Sequence, residues 1–344
     1  MNKRINTSIL AIALVLVTAF AAARFNQSSV ASAAPTSVAH NAAAATADTL
    51  TLLPASDAVA YLDVRRLLTE AIPGLLASDA TKLAKFNAQM DKFKAKTGFD
   101  VRSFDRIAVG IRYSGAADSV AIARGTFNAD ALIAAGRIAA NGKFTEQKHA
   151  GKTIYNFPLT EKATKPGAAN KVTQLYVAAL DANTLAIGKD APTGVRAAID
   201  ASSINAAHAS ADLIALASRN SNALMGFGGN VPASLAQGSS FGNAEIDKSI
   251  SSIRQAYGSL SSTGSGIETL FAMITGSPDQ AKTLSDTIGA FKQFSGLVVS
   301  QVPVDQRALV QSLFDSLQIT PQGNEVQIKA SVSPANLAAM VRGL

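Results

Sequence analysis

The sequence predicts an α+β fold: two tandem, duplicated modules of antiparallel or mixed sheet, with helices on one face. Three observations carry that prediction. Strand-break-helix units recur, the clearest being Ser119 to Ile138, SVAIARGTFNADALIAAGRI. Hairpin signals, short alternating runs joined at Gly, Asn or Asp, are frequent along the chain. The order of elements in the first half returns in the second at a near-constant offset.

In the clearest unit, Val120, Ile122 and Arg124 alternate with Ala121, Ala123 and Gly125, the period of a strand. Asn128 can accept from the free N–H groups that open a helix, and Asp130 adds negative charge where the helix dipole favours it. Length and composition agree with such a chain. Its 344 residues suffice for two ordinary domains or one large one, and 48% hydrophobic content supports a packed core. There is no Trp, which counts against a sugar-stacking platform. There is no Cys, which excludes disulfides, thiolate metal sites, a Cys nucleophile and a lipid anchor on Cys. The formal charge is +7, but Lys3, Arg4 and Arg24 precede the first acid, Asp48, so the chain without them carries +4. That is too weak for a nucleic-acid face.

Lys3 and Arg4 precede an apolar run from Ile9 to Ala23, and Ala31-Ser32-Ala33 offers a cleavage site before Ala34. Residues 1–33 therefore read as a secretory signal peptide, with Ala21-Ala22-Ala23 as a second small-residue site. The alternative is an uncleaved anchor, which would be the chain's contact with a membrane. Either reading exports the body, to the periplasm or the outside. Residues 34–48, rich in Ala, Ser and Thr, form a flexible tether. Residues 49–219 make the first module and 220–344 the second.

In the first module, Pro54 to Asp57 turns into a strand at Val59 to Val64. A short helix from Arg65 stops near Pro73-Gly74. Ser78 or Asp79 caps a longer helix with Leu83, Phe86, Met90 and Phe93 on one face, and Gly98 ends it. Its lysines, Lys82, Lys85, Lys92, Lys94 and Lys96, read as a solvated face, the alternative being an anion or membrane-surface contact. A strand through Ile107 to Tyr113 turns at Ser114-Gly115. Hairpins follow around His149-Ala150-Gly151 and Asp181-Ala182-Asn183, then a helix with Pro192 in its first turn. A helix with Leu213, Ile214 and Leu216 closes the module.

The second module opens with a strand at Ala223 to Phe227. Arg106 to Gly110 lies on Arg254 to Gly258, and the break at Asn128 lies on Ser277-Pro278-Asp279. Leu185 and Ile187 lie on Val326 and Ile328, and Pro192, Val195 and Ile199 on Pro334, Leu337 and Val341. Leu309, Leu313 and Leu317 mark an added amphipathic helix.

Reactive groups do not gather into a motif. Gly238 to Gly242 matches G-x-S-x-G around Ser240, but a nucleophile elbow needs a strand before the Ser and a helix after it. None of His40, His149 and His208 follows Ser240 in the chain. Gly151-Lys152-Thr153 lacks the Gly five residues earlier that a phosphate loop requires, and Gly226-Phe227-Gly228-Gly229 lacks dinucleotide spacing. His149 reads as a solvent-exposed hairpin-tip residue, and all five tyrosines fall in predicted strands. No residue is assigned to catalysis, to a cofactor or to a metal.

LLPASDAVAYLDV, KHAGKTIYNF and the closing strand-Ser333-Pro334-helix resemble pieces of uncharacterised exported bacterial proteins with repeated α+β modules, of the domain-of-unknown-function kind. The resemblance implies an envelope location and carries over no catalytic residue. The sequence thus points to a non-enzymatic exported envelope protein that binds a partner or scaffolds through its modules. The alternatives are a carrier or sensor of an apolar small molecule, and a hydrolase with dispersed residues. The expected partner is an envelope protein or a small apolar ligand, with no nucleic acid.

Overall fold

A computed structural model describes residues 46, 48–77, 79–113, 118–161, 171–202, 207–232, 244–263, 266–293, 299–300, 302 and 304–333. The export segment, most of the tether, the Ser114-Gly115 turn, the Ser240 motif and the closing helix from Pro334 lie outside the described residues. The fold is α+β, with helices and antiparallel strands in two compact units. These are residues 46–70 with 79–210, and residues 71–77 with 211–333.

The strands of the first unit are β1 (Ala58–Asp63), β2 (Phe104–Arg112), β3 (Asp118–Gly125), β4 (Thr145–His149), β5 (Lys152–Glu161), β6 (Lys171–Asp181) and β7 (Thr184–Lys189). Their spatial order is β1-β2-β3-β7-β6-β5-β4, with every neighbouring pair antiparallel. The longer helices are α1 (Ala80–Thr97), α2 (Ala129–Ala139) and α3 (Thr193–Ala201). Local chemistry sets their ends. Asp79 accepts from the Lys82 N–H at 2.9 Å to open α1, and Gly98, at φ 72°, closes it in the left-handed region. Asn128 accepts from the Ala131 N–H at 2.8 Å to open α2. Pro192 stands at the N-cap of α3, just before its first turn.

The sequence expects helix to stop near Pro73-Gly74, yet it continues to Leu76. A wide π-helical stretch at Leu67–Ala71 ends the earlier helical turn, and a new α-turn begins at Ile72. Pro73 then falls in a first turn, where its missing N–H costs no hydrogen bond.

The expectation of helices on one sheet face is corrected. Along β3, Val120, Ala121, Ile122 and Ala123 are all buried, so both faces are covered. Ala121 and Ala123 share a core with Val109, Val177, Leu185 and Ile133 of α2. On the opposite face, Val120 is in register with Gly188, and a Cβ added at Gly188 would stand 2.9 Å from Val195 of α3. The alternation in β3 is therefore one of size, not of polarity.

The second unit contains β8 (Met225–Asn230), β9 (Ile253–Thr263), β10 (Gly266–Thr275), β11 (Gln318–Gln322) and β12 (Glu325–Val332). Their order is β11-β12-β10-β9-β8, again antiparallel throughout. Its longer helices are α4 (Ala211–Ala217), α5 (Ala244–Ser251), α6 (Pro278–Gln293) and α7 (Val304–Ser316). Ile253, Met273, Val326 and Leu284 of α6 form the core on one face. Ser277 accepts from the Gln280 N–H at 3.3 Å while the Gln280 side chain accepts from the Gly276 N–H at 3.0 Å, a capping arrangement for α6. Helix α4, expected to close the first module, belongs to the second unit. Gly228 explains this placement, because a Cβ there would meet Leu216 Cβ at 2.6 Å and the Leu213 carbonyl at 2.8 Å. Only a bare backbone lets α4 lie this close to β8.

Candidate functional site

A connected group of polar side chains lies on one sheet face of the second unit. Register runs Gly228, Tyr257, Ala272, Gln327 across β8, β9, β10 and β12, so Tyr257 and Gln327 share that face. Glu325 joins them two residues before Gln327. Arg219 reaches the same point from the segment after α4. Tyr257 is 1% exposed and Glu325 7%. The Tyr257 hydroxyl donates to Glu325 Oε1 at 2.9 Å, the Gln327 amide donates to the same oxygen, and Arg219 Nη1 donates to Oε2 at 2.9 Å. The Arg219 guanidinium also lies 4.7 Å above the Tyr257 ring. Beside it, the Asn220 amide donates to the Ser259 and Ser261 hydroxyls at 3.1 and 3.0 Å.

Burial pushes the Glu325 carboxyl up, but hydrogen bonds from Gln327, Tyr257 and Arg219 outweigh it, and the net displacement is downward. Burial first, then the Glu325 hydrogen bond, push the Tyr257 phenol up. An ionised carboxylate that accepts at both oxygens and a phenol held protonated are suited to tying β9, β12 and the post-α4 segment together. A general base would need a lone pair aimed at a substrate proton.

The first unit repeats this use of charge. Asp63, 2% exposed, accepts from the Arg66 N–H at 3.0 Å and from its cross-strand partner Arg106 at 3.2 Å. Burial, then the Asp63 charge, push the neighbouring Tyr61 phenol up to about 12. Arg65 pairs with Asp105. Arg102 bridges Asp91 of α1 at 2.7 Å and Asp100 at 2.8 Å. The Arg102 hydrogen bond chiefly holds the Asp100 carboxyl down at about 2.

The residues singled out in the sequence are dispersed. His149 is not a free hairpin tip: it ends β4, its side chain is 29% exposed, and its Nε2 lies 2.8 Å from Asp200 Oδ1 on α3. Two residues earlier, Gln147 accepts from Arg196 of α3 at 2.6 Å. A two-residue step on a strand matches a four-residue step on a helix, so the pairs clasp β4 to α3. His208 is exposed and bridges Pro54 through the backbone. Ser240 and His40 lie outside the described residues. Gly151-Lys152-Thr153 turns a hairpin into β5, and Lys152 donates to the Leu180 carbonyl at 2.7 Å. Tyr61, Tyr155, Tyr176 and Tyr257 lie in strands, whereas Tyr113 falls just after β2.

Among the described residues, no group of three or more His, Asp or Glu could hold a metal ion, and no helix is long and apolar enough to cross a membrane. A depression lined by Pro54, Ser56, Gly110, Arg112 and Gly194 has a volume of about 10 Å³. That is room for about one water, against several hundred Å³ for a small-molecule site. Sequence reasoning placed Tyr257 in a strand and missed its cluster. Glu325-x-Gln327 signals a shared face, but Arg219 lies far away in the chain and carries no local signal.

Fold and clusters define an α+β chain of two antiparallel units, each with charged groups paired inside the unit. No family model matches the chain, and no curated protein matches it. Solved structures of TP0453 are similar to it. Crystal form III is 9% identical at a TM-score of 0.44, covering 86% of this chain and 98% of that one. Form I is 10% identical at 0.42, over 86% and 97%, and form IV 10% at 0.42, over 88% and 99%. The functional reading rests on the chain's own residues.

Proposed function

We propose that the chain is a non-enzymatic exported envelope protein that binds a protein partner, or scaffolds an assembly, through duplicated α+β modules. The observation that carries this reading is the disposition of its titratable groups. Glu325, Asp63, Asp100 and His149 are each hydrogen-bonded to neighbouring segments of their own unit. Duplication is supported by topology: β8-β9-β10-β12-β11 repeats the order β1-β2-β3-β7-β6, with α6 standing where α2 stands. The β4–β5 hairpin is then an insertion of the first module and α7 an insertion of the second.

The edge strand β4 of the first unit carries Glu146 and Lys148, and the edge strand β11 of the second carries Pro321, residue types that oppose edge pairing. Helix faces are the better candidates. Crosslinking and co-purification from the native envelope test the reading. A specific protein partner is the expected result. A metabolite or lipid held in the core, with no protein partner, would replace it with the carrier alternative.

A further inference from the structure

We infer that α2 is a self-association face, meeting α2 of a second copy antiparallel across a two-fold axis at Ala134. The inference names an occupant for the helix-face contact proposed above and rests on that reading. Packing fixes the inward side of α2. Ala129 and Ile133 are buried, and a Cβ added at Gly136 would stand 3.4 Å from the Phe157 ring. At about 100° per residue the opposite side carries Ala131, Ala134 and Ile138, and all three are exposed. Ile138 is 81% exposed, the most exposed of the large apolar side chains among the described residues. One exposed isoleucine is ordinary in itself; the charges beside it say what would cover it.

Asp130 and Arg137 stand seven residues apart, about two turns, and so share one flank of the exposed side. Asp130 is exposed, and the positions three and four residues on are Ile133 and Ala134, so its own helix offers it no cation. Arg137 lies over the rings of Phe144 and Tyr155, its guanidinium 5.1 and 5.7 Å from their centroids. Its approach to Glu146 is 3.7 Å, beyond hydrogen-bond length, and its side chain is 46% exposed. The flank therefore presents an acid at one end and a pre-positioned guanidinium at the other.

Two-fold symmetry turns that pattern into a match. When an axis between two antiparallel helices relates them, like flanks face each other. Asp130, four residues before Ala134, then lies within one residue rise, about 1.5 Å, of the level of Arg137, three residues after it, on the second copy. The same holds for Ala131 and Ile138, so each isoleucine meets the small residues Ala131 and Ala134 of the other helix. A parallel pairing would face the charged flank with the Ala135 and Ala139 side, which carries no charge. A lipid surface would have to desolvate Asp130 beside the isoleucine. One short helix buries less than about 1,200 Å² with its mate, so the contact belongs to the weak, concentration-dependent class.

Single-cysteine crosslinking of the full chain reads the axis directly, because the chain has no Cys of its own. Ala134→Cys puts the two thiols on the axis, within disulfide reach, whereas Ala131→Cys sets them about 9 Å apart along the helices. Oxidation by diamide is expected to link Ala134→Cys chains about fivefold faster or more than Ala131→Cys chains. Sedimentation equilibrium reads the affinity. Asp130→Arg and Arg137→Asp should each weaken the dimer by roughly tenfold, and Asp130→Arg/Arg137→Asp should recover it to within about threefold. Ile138→Asp should abolish it, while Val172→Asp, at another exposed apolar position of the same unit, should leave it unchanged. Far-UV circular dichroism of each variant separates lost association from lost helix. A monomer at every concentration, equal linking at the two cysteine positions, or no recovery in the double reversal would overturn the pairing. A monomeric chain that loses a different protein partner on Ile138→Asp would overturn self-association and leave the partner-binding reading standing.

Discussion

Replacing Glu325 by Ala removes the acceptor that joins Tyr257, Gln327 and Arg219. The cost follows from what each donor does next. The Tyr257 hydroxyl, on a fully buried side chain, is left without its acceptor, at about 1–3 kcal/mol. Arg219 is 49% exposed and recovers water, so its loss adds little. With the half-buried Gln327 amide, the total comes to roughly 2–3 kcal/mol. Glu325→Gln keeps an acceptor for the phenol and should cost about 1 kcal/mol, as should Tyr257→Phe, which leaves the carboxylate its other donors. The double variant Tyr257→Phe/Glu325→Ala no longer strands a hydroxyl, so it should cost about 1 kcal/mol less than the sum of the singles. Urea unfolding followed by far-UV circular dichroism reads these values, the chain having no Trp. Its pH dependence has a fixed sign. The Glu325 carboxyl is lower folded than unfolded, so its contribution is full above the ordinary carboxylate range and lost as pH falls through the folded value. A Glu325→Ala chain within about 0.5 kcal/mol of wild type, or an additive double variant, would refute the reasoning.

Gly228→Ala should destabilise by about 1–3 kcal/mol by forcing α4 off β8, whereas Gly289→Ala in α6, with nothing within 4 Å, should stabilise by about 0.5–1 kcal/mol; thermal melts distinguish them. Asn128→Ala removes the α2 cap and should cost about 1 kcal/mol, read by urea unfolding. The Tyr61 phenol is raised on folding, so its contribution is complete below pH 10 and lost as pH rises through about 12; Tyr61→Phe should flatten that alkaline loss in a stability titration. His149→Ala should speed amide exchange in β4 without lowering global stability by more than about 1 kcal/mol, because it opens only the clasp to α3.

Local chemistry was legible and long-range pairing was not. Asp79, Asn128, Ser277 and Gly98 cap helices where residue type alone places them. The strand run 120–123 was also plain, but its alternation of Val and Ile with Ala concealed that both faces are buried. Gly226, Gly228 and Gly229 shifted the expected strand toward Ala223, because a glycine's value there lies in the approach of α4 and not in strand propensity. The Pro73-Gly74 pair looked like a stop because the preceding π-turn has no residue signature. His149 was misread as a free tip because Asp200 lies on another element. The Arg219–Tyr257–Glu325 cluster joins three distant segments: strand register sets Tyr257 and Glu325 on one face, and Arg219 reaches them from the segment after α4.

Native mass spectrometry of the chain recovered from its own cell envelope tests the central claim most directly. The account predicts a species that begins at Ala34 and carries a protein partner of defined mass. A chain bound instead to a single metabolite, or one found uncut in the cytosol, would contradict it.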